Sequence, residues 1–116
     1  MENLTTPSRD QAFQILDEVS FEDRLLGSVL HVRAGVRIVS LYSLEEVFLL
    51  LKEPYPQIDP EQVQDWIRTV IKDGELADRI RMAIDQEADD QERLCLIRDL
   101  VGWRLIQCKQ LTEGQG

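Results

Sequence analysis

Behind Asp59-Pro60-Glu61, apolar residues fall at Val63, Trp66, Ile67, Val70 and Ile71. This i, i+3, i+4, i+7, i+8 spacing places a single apolar stripe along an α-helix. Asp59 suits the cap position, Pro60 the first helical residue and Glu61 the positive end of the helix dipole, with Gly74 as the expected stop. A chain that carries such a stripe must bury it, and the same period recurs along the sequence. Ser8 and Gln11 form a capping-box pair ahead of Ala12, Phe13, Leu16 and Val19, which predicts a helix over 8–19. Ser43-Leu44-Glu45-Glu46 opens a helix over 44–53 that Pro54 and Pro56 end. Leu76, Ile80 and Ile84 mark a helix over 75–86. A last helix, begun in the acidic stretch 85–92, runs to about residue 110 with Leu94, Ile97, Val101, Leu105 and Cys108 on one face. Leu96, Leu100 and Trp103 widen that stripe, so more than one neighbour is expected against it.

Residues 20–42 are ambiguous. Leu25, Leu26, Val29 and Leu30 suit an apolar helix face, capped by Ser20 or Asp23. The stretch 28–40 is rich in β-branched residues and has Ala34-Gly35 near its middle, which also suits two short strands about a turn. The helical reading to about residue 34, followed by an irregular or extended segment through Val39, is preferred. The fold class expected is mainly all-α: a compact bundle or orthogonal array of five to six helices on one core, with a short hairpin or extended segment near 28–42 as the alternative. One domain is expected over 1–116, with disordered tails at 1–7 and 112–116.

Composition bears on function through charge. The net charge is −9, which repels phosphate backbones and anionic membranes. Residues 43–90 hold thirteen Asp/Glu against five Lys/Arg, whereas 24–42 contain no acid and carry Arg24, His31, Arg33 and Arg37. The start Met1-Glu2-Asn3-Leu4 lacks the basic and apolar parts of a signal peptide, and the longest dense apolar run, 47–51, is far below the ~20 residues that cross a bilayer. A cytoplasmic protein without a membrane span is expected. Cys95 and Cys108, if on one helix, lie about 20 Å apart at helical rise. A disulfide needs Cα atoms within about 7 Å, so both read as free, buried or half-buried thiols.

The chain holds no glycine-rich phosphate loop, no nucleophile elbow and no zinc-type His/Cys spacing. His31, the one histidine, lies between Leu30 and Val32 and reads as structural. A calcium loop begun at Asp85 fails at its sixth and twelfth places, Asp90 and Leu96. Glu45/Glu46 and Asp89/Asp90 are adjacent, so on a helix they point apart. No cofactor or metal is expected. The function expected is a non-catalytic protein-interaction module, a regulatory, adaptor or assembly factor, with a protein partner or a second copy of itself. Arginine is enriched at interfaces and recognises carboxylates bidentately. The candidate partner-binding residues are therefore Arg24, Arg33, Arg37 and Tyr42, beside the surplus apolar residues Val36, Ile38, Val39 and Leu41. Trp103, with Arg104 next to it, completes the set.

Two alternatives belong to other classes. Residues 36–52, a turn and then 59–76 resemble in layout a winged-helix DNA-binding regulator, although the would-be reading surface, Glu61, Gln64, Asp65, Arg68 and Lys72, is near neutral. The other is a small-ligand binder or enzyme whose carboxylates meet only in three dimensions.

Overall fold

The computed structural model describes residues 4–113. The protein is mainly helical, with five α-helices and a three-stranded antiparallel sheet. In chain order these are α1 (Arg9–Leu16), a 3-10 turn (Phe21–Asp23), β1 (Leu25–His31), β2 (Gly35–Leu41), α2 (Leu44–Leu51), β3 (Pro56–Gln57), α3 (Pro60–Trp66), α4 (Gly74–Gln86) and α5 (Asp90–Glu113).

The capping signals place the helix starts. Ser8 Oγ accepts from Gln11 N at 3.1 Å, and Gln11 Oε1 accepts from Ser8 N at 2.9 Å. Ser43 Oγ accepts from Glu46 N at 3.2 Å, while the Glu46 carboxylate reaches back one residue further, to Tyr42 N at 2.6 Å. Asp59 Oδ1 accepts from Glu61 N at 2.9 Å, with Pro60 as the first helical residue. Helix α1 is shorter than 8–19. It buries Ala12 and Ile15 and leaves Phe13 exposed, because the chain turns extended at Asp17.

Helix α3 does not run on unbroken. Residues Ile67–Ile71 form a π-helical turn, which ends at Lys72 with φ 66° as Asp73 N donates to Ile67 O at 3.1 Å. The expected stop at Gly74 is therefore overturned. Lys72 takes the left-handed position, and Gly74 opens α4 under the cap of Asp73, whose Oδ1 accepts from Leu76 N at 3.1 Å.

The preferred helix through residue 34 is overturned as well. Leu25–His31 and Gly35–Leu41 are paired strands in the register Leu25↔Leu41 to His31↔Gly35. Leu25, Gly27 and Val29 face inward and Leu26 and Leu30 outward, the period of two that a strand requires. The three-residue turn Val32–Ala34 closes through Gly35 at φ 80°, a backbone that glycine adopts without a side-chain clash. Gly27 has a different task. A Cβ there would lie 2.7 Å from Leu50 Cδ2 and 3.2 Å from Ile58 Cδ1, so its bare backbone lets α2 and the segment after β3 close on the sheet. Tyr55 O and Gln57 hold β3 to the other side of β1, which gives the order β2-β1-β3.

Helix α5 is the hub. It packs against α1, α2, α3 and α4 and buries Leu94, Ile97, Leu100, Val101, Leu105 and Cys108. Trp66 is buried too, and its indole N–H donates to Asp23 O at 2.6 Å. Burial pushes the Cys108 thiol up to about 11. Cys95, expected to be at least half-buried, is exposed on the outside of the same helix. Of the expected tails, Leu4 is buried and Thr112 and Glu113 are helical, while 1–3 and 114–116 lie outside the described residues. No helix among the described residues is long and apolar enough to cross a membrane.

Candidate interaction surface

The hairpin β1–β2 has two faces of different fate. The inner face carries Leu25, Val29 and Leu41 into the core. The outer face presents Leu26, Leu30, Val36 and Ile38, separated by Ser28 and Ser40, with no charged side chain on the strands between Leu25 and Leu41 on that side. Ile38 is 74% and Val36 59% exposed, and Val32 at the tip is 86% exposed. An antiparallel sheet that meets water on one face usually alternates apolar-in with polar-out. Here both faces carry apolar residues, and exposed apolar side chains gathered on one face are the kind of surface that marks an interaction site.

The arginines of the hairpin are in two states. Arg24 is committed locally: its guanidinium lies 3.8 Å from the Phe21 ring centroid, and Nη1 donates to Phe21 O at 2.8 Å. Its Nε is buried without a hydrogen-bond partner. Arg33, in the turn, and Arg37, on β2, are exposed and make no ion pair among the described residues. Elsewhere arginines pair: Arg68 with Asp78 at 2.6 Å, Arg81 with Glu61 and Asp85, Arg93 with Asp90. The Arg68 and Arg81 pairs also neutralise the α3–α4 face that a DNA reader of the expected layout would use.

The five candidate residues do not form one site. Arg24 and Tyr42 flank the base of the hairpin, where Leu25 pairs with Leu41. Tyr42 is held by its backbone, donating to Glu46 and accepting from Val19 N at 2.7 Å. Arg33 stands at the tip, about 20 Å away at strand rise, and Arg37 lies between. Trp103 belongs to a separate place. It is 38% exposed on α5 and lines an open apolar groove with Phe48, Lys52, Arg98, Gly102 and Ile106. Sequence reasoning missed Leu26 and Leu30 as surface residues because a helix would have turned both toward the core.

Arg104, expected beside Trp103 at an interface, points the other way. It is 2% exposed, and all five guanidinium donors are taken. Nε donates to Asp73 Oδ2 at 2.7 Å, and Nη2 donates to Asp73 Oδ1 at 3.3 Å and Glu75 Oε1 at 2.8 Å. Nη1 donates to Thr5 O at 2.7 Å and Gln107 Oε1 at 2.9 Å. Gln107 Nε2 in turn donates to Leu4 O, and Thr5 N donates to Glu75, so the cluster ties the N-terminal segment to α4 and α5.

Burial acts to raise the Glu75 pKa, but hydrogen bonds from Thr5 and Arg104 outweigh it and hold the carboxyl below its ordinary 4.5. A carboxyl lowered on folding contributes stability that is present above its unfolded value and lost as pH falls through the folded one. The melting temperature is therefore expected to drop as pH falls below about 4.5, and Glu75→Gln to flatten that part of the profile. An unchanged acid limb in the variant would remove Glu75 from this role.

No protein-family model matches the chain, and comparisons with curated proteins and with solved structures give no match. Among the described residues, no group of three or more His, Cys, Asp or Glu side chains is placed to hold a metal ion.

Proposed function

We propose that this chain is a non-catalytic protein-interaction module of the cytoplasm, a regulatory, adaptor or assembly factor, whose docking element is the β1–β2 hairpin. The observation that carries the reading is the outer face itself: Leu26, Leu30, Val36 and Ile38 uncovered on an uncharged sheet face, with Arg33 at the hairpin tip and Arg37 on the opposite side of β2, neither in an ion pair among the described residues. An apolar centre with an arginine at its margin, here Arg33, is the anatomy of a protein–protein interface. The partner that fits is a protein surface with an apolar strip edged by carboxylates. Arg24 and Tyr42 hold the base of the hairpin in place, and the Trp103 groove is a second, weaker candidate on the helical side.

The test uses the tagged full chain and an Arg33→Glu/Arg37→Glu variant. The variant is expected to keep the wild-type circular dichroism, since both side chains are exposed. It is expected to lose the proteins that the wild type retains from native lysate, or to bind them at least about fivefold more weakly at low salt, with the gap narrowing as salt rises. Equal retention by the variant would remove the arginines from the proposed site.

A further inference from the structure

Strand β2 lies at the outside of the sheet, and among the described residues no strand pairs with its far edge. Leu30 donates its N–H to Tyr55 O at 3.1 Å, so at that position β1 turns its backbone toward β3 and away from β2. Antiparallel ladders alternate between hydrogen-bonded and non-hydrogen-bonded pairs. With Leu30↔Val36 as a non-bonded pair, Gly35, Arg37, Val39 and Leu41 bond to β1. The N–H and C=O groups of Val36, Ile38 and Ser40 then point out of the free edge. Sheet edges are ordinarily blunted by proline, lysine, bulges or inward charges. Gly35–Leu41 pairs in unbroken register and has no Pro or Lys; its one charge, Arg37, is on the inner side of the sheet, where it stays exposed rather than buried.

We propose that this edge pairs with the same edge of a second copy of the chain, β2 antiparallel to β2, about a two-fold axis at Ile38. In that register Ile38 faces its own counterpart and Val36 faces the other copy's Ser40. All are residues whose backbone groups point outward, so each pair exchanges two hydrogen bonds and the ladder is self-complementary. The two sheets become one of six strands.

Charge agrees with this meeting place. On the inner face Arg37 comes opposite the other copy's Val39, which lines a groove with Glu46, Leu49 and Glu53 between β2 and α2. Arg37 lines the same groove in its own chain, so the two arginines that stand diagonally across the axis each have Glu46 and Glu53 of their own copy beside them. A chain of net charge −9 also meets itself along 24–42, the stretch where carboxylates are absent. The pairing leaves the outer faces free and joins them into one band, so it does not depend on the docking partner proposed above.

Sedimentation or light scattering of the full chain, from micromolar to millimolar, together with amide hydrogen exchange at both ends of that range, tests the pairing. The mass is expected to double on concentration, with exchange at Val36, Ile38 and Ser40 slowed at least tenfold in the concentrated sample. Ile38→Pro removes an N–H that does not bond to β1, and Ile38→Lys keeps the backbone and adds a charge at the edge. Both are expected to stay folded and monomeric; should the proline variant unfold, the lysine variant decides. A constant monomer mass in the wild type would overturn the proposal. So would a dimer that survives Ile38→Lys at wild-type strength, or one whose protection falls on the Trp103 groove instead. Ile38 and Arg37 belong to both surfaces, so the readings are separated by readout: the mass of the purified chain tests the pairing alone, and Arg33→Glu by itself, in the turn and off the paired strand, tests the docking partner.

Discussion

Replacing Arg104 by methionine is expected to lower the unfolding free energy by about 3–5 kcal/mol, the usual cost of breaking a buried ion pair from one side. The size follows from what remains. Asp73 is 6% exposed, and without the guanidinium its carboxylate keeps the Leu76 N–H it caps and loses its cation. Thr5 O and Gln107 Oε1 lose a donor in the same step. The fall in melting temperature should exceed about 10 °C for a chain of this size. Adding Asp73→Asn should recover part of the loss, because the amide oxygen still accepts at the cap while the uncompensated charge is gone. A thermal melt of Arg104→Met within about 1 kcal/mol of wild type would show that the cluster is solvated in a way its burial does not express.

Helix α5 supplies the second large effect and its own control. Ile97 is fully buried, and Ile97→Ala is expected to cost about 2–5 kcal/mol through lost transfer energy and the cavity left behind. Ile106, on the same helix, is 59% exposed beside Trp103, and Ile106→Ala should stay within about 0.5 kcal/mol. Chemical denaturation of both variants checks the orientation of the helix. Similar losses in the two would mean that the Trp103 groove is covered in solution.

The helices were legible because their signals are local. Ser8 with Gln11, Ser43 with Glu46 and Asp59 with Pro60 act over three or four residues, and each caps in the structure as the spacing implies. The hairpin was not, because Leu25, Leu26, Val29 and Leu30 satisfy a helical face and a strand alternation alike. What separates the two is Gly27, and its reason is a close approach of Leu50 and Ile58 from elsewhere in the chain. Arg33 and Arg37 were legible as charges in an acid-free stretch. Their neighbours Leu26 and Leu30 on the outer face were not, since that depends on the strand assignment. Arg104 reads on paper like any surface arginine following a tryptophan. Its burial depends on Asp73, thirty-one residues earlier, and on Thr5 near the other end of the described chain, a pairing that no short-range pattern encodes.

The hub position of α5 has a consequence for how the protein comes into being. During synthesis the segments that become α1, the sheet, α2, α3 and α4 leave the ribosome before the helix that most of them pack against. Until residues 90–113 emerge, Ala12, Val47, Val63 and Ile80 lack their central wall, and Asp73 waits for the cation that neutralises it. A nascent chain halted before α5 lacks the helix that α1, α2, α3 and α4 share, which makes the emergence of α5 the step that joins these segments on one core.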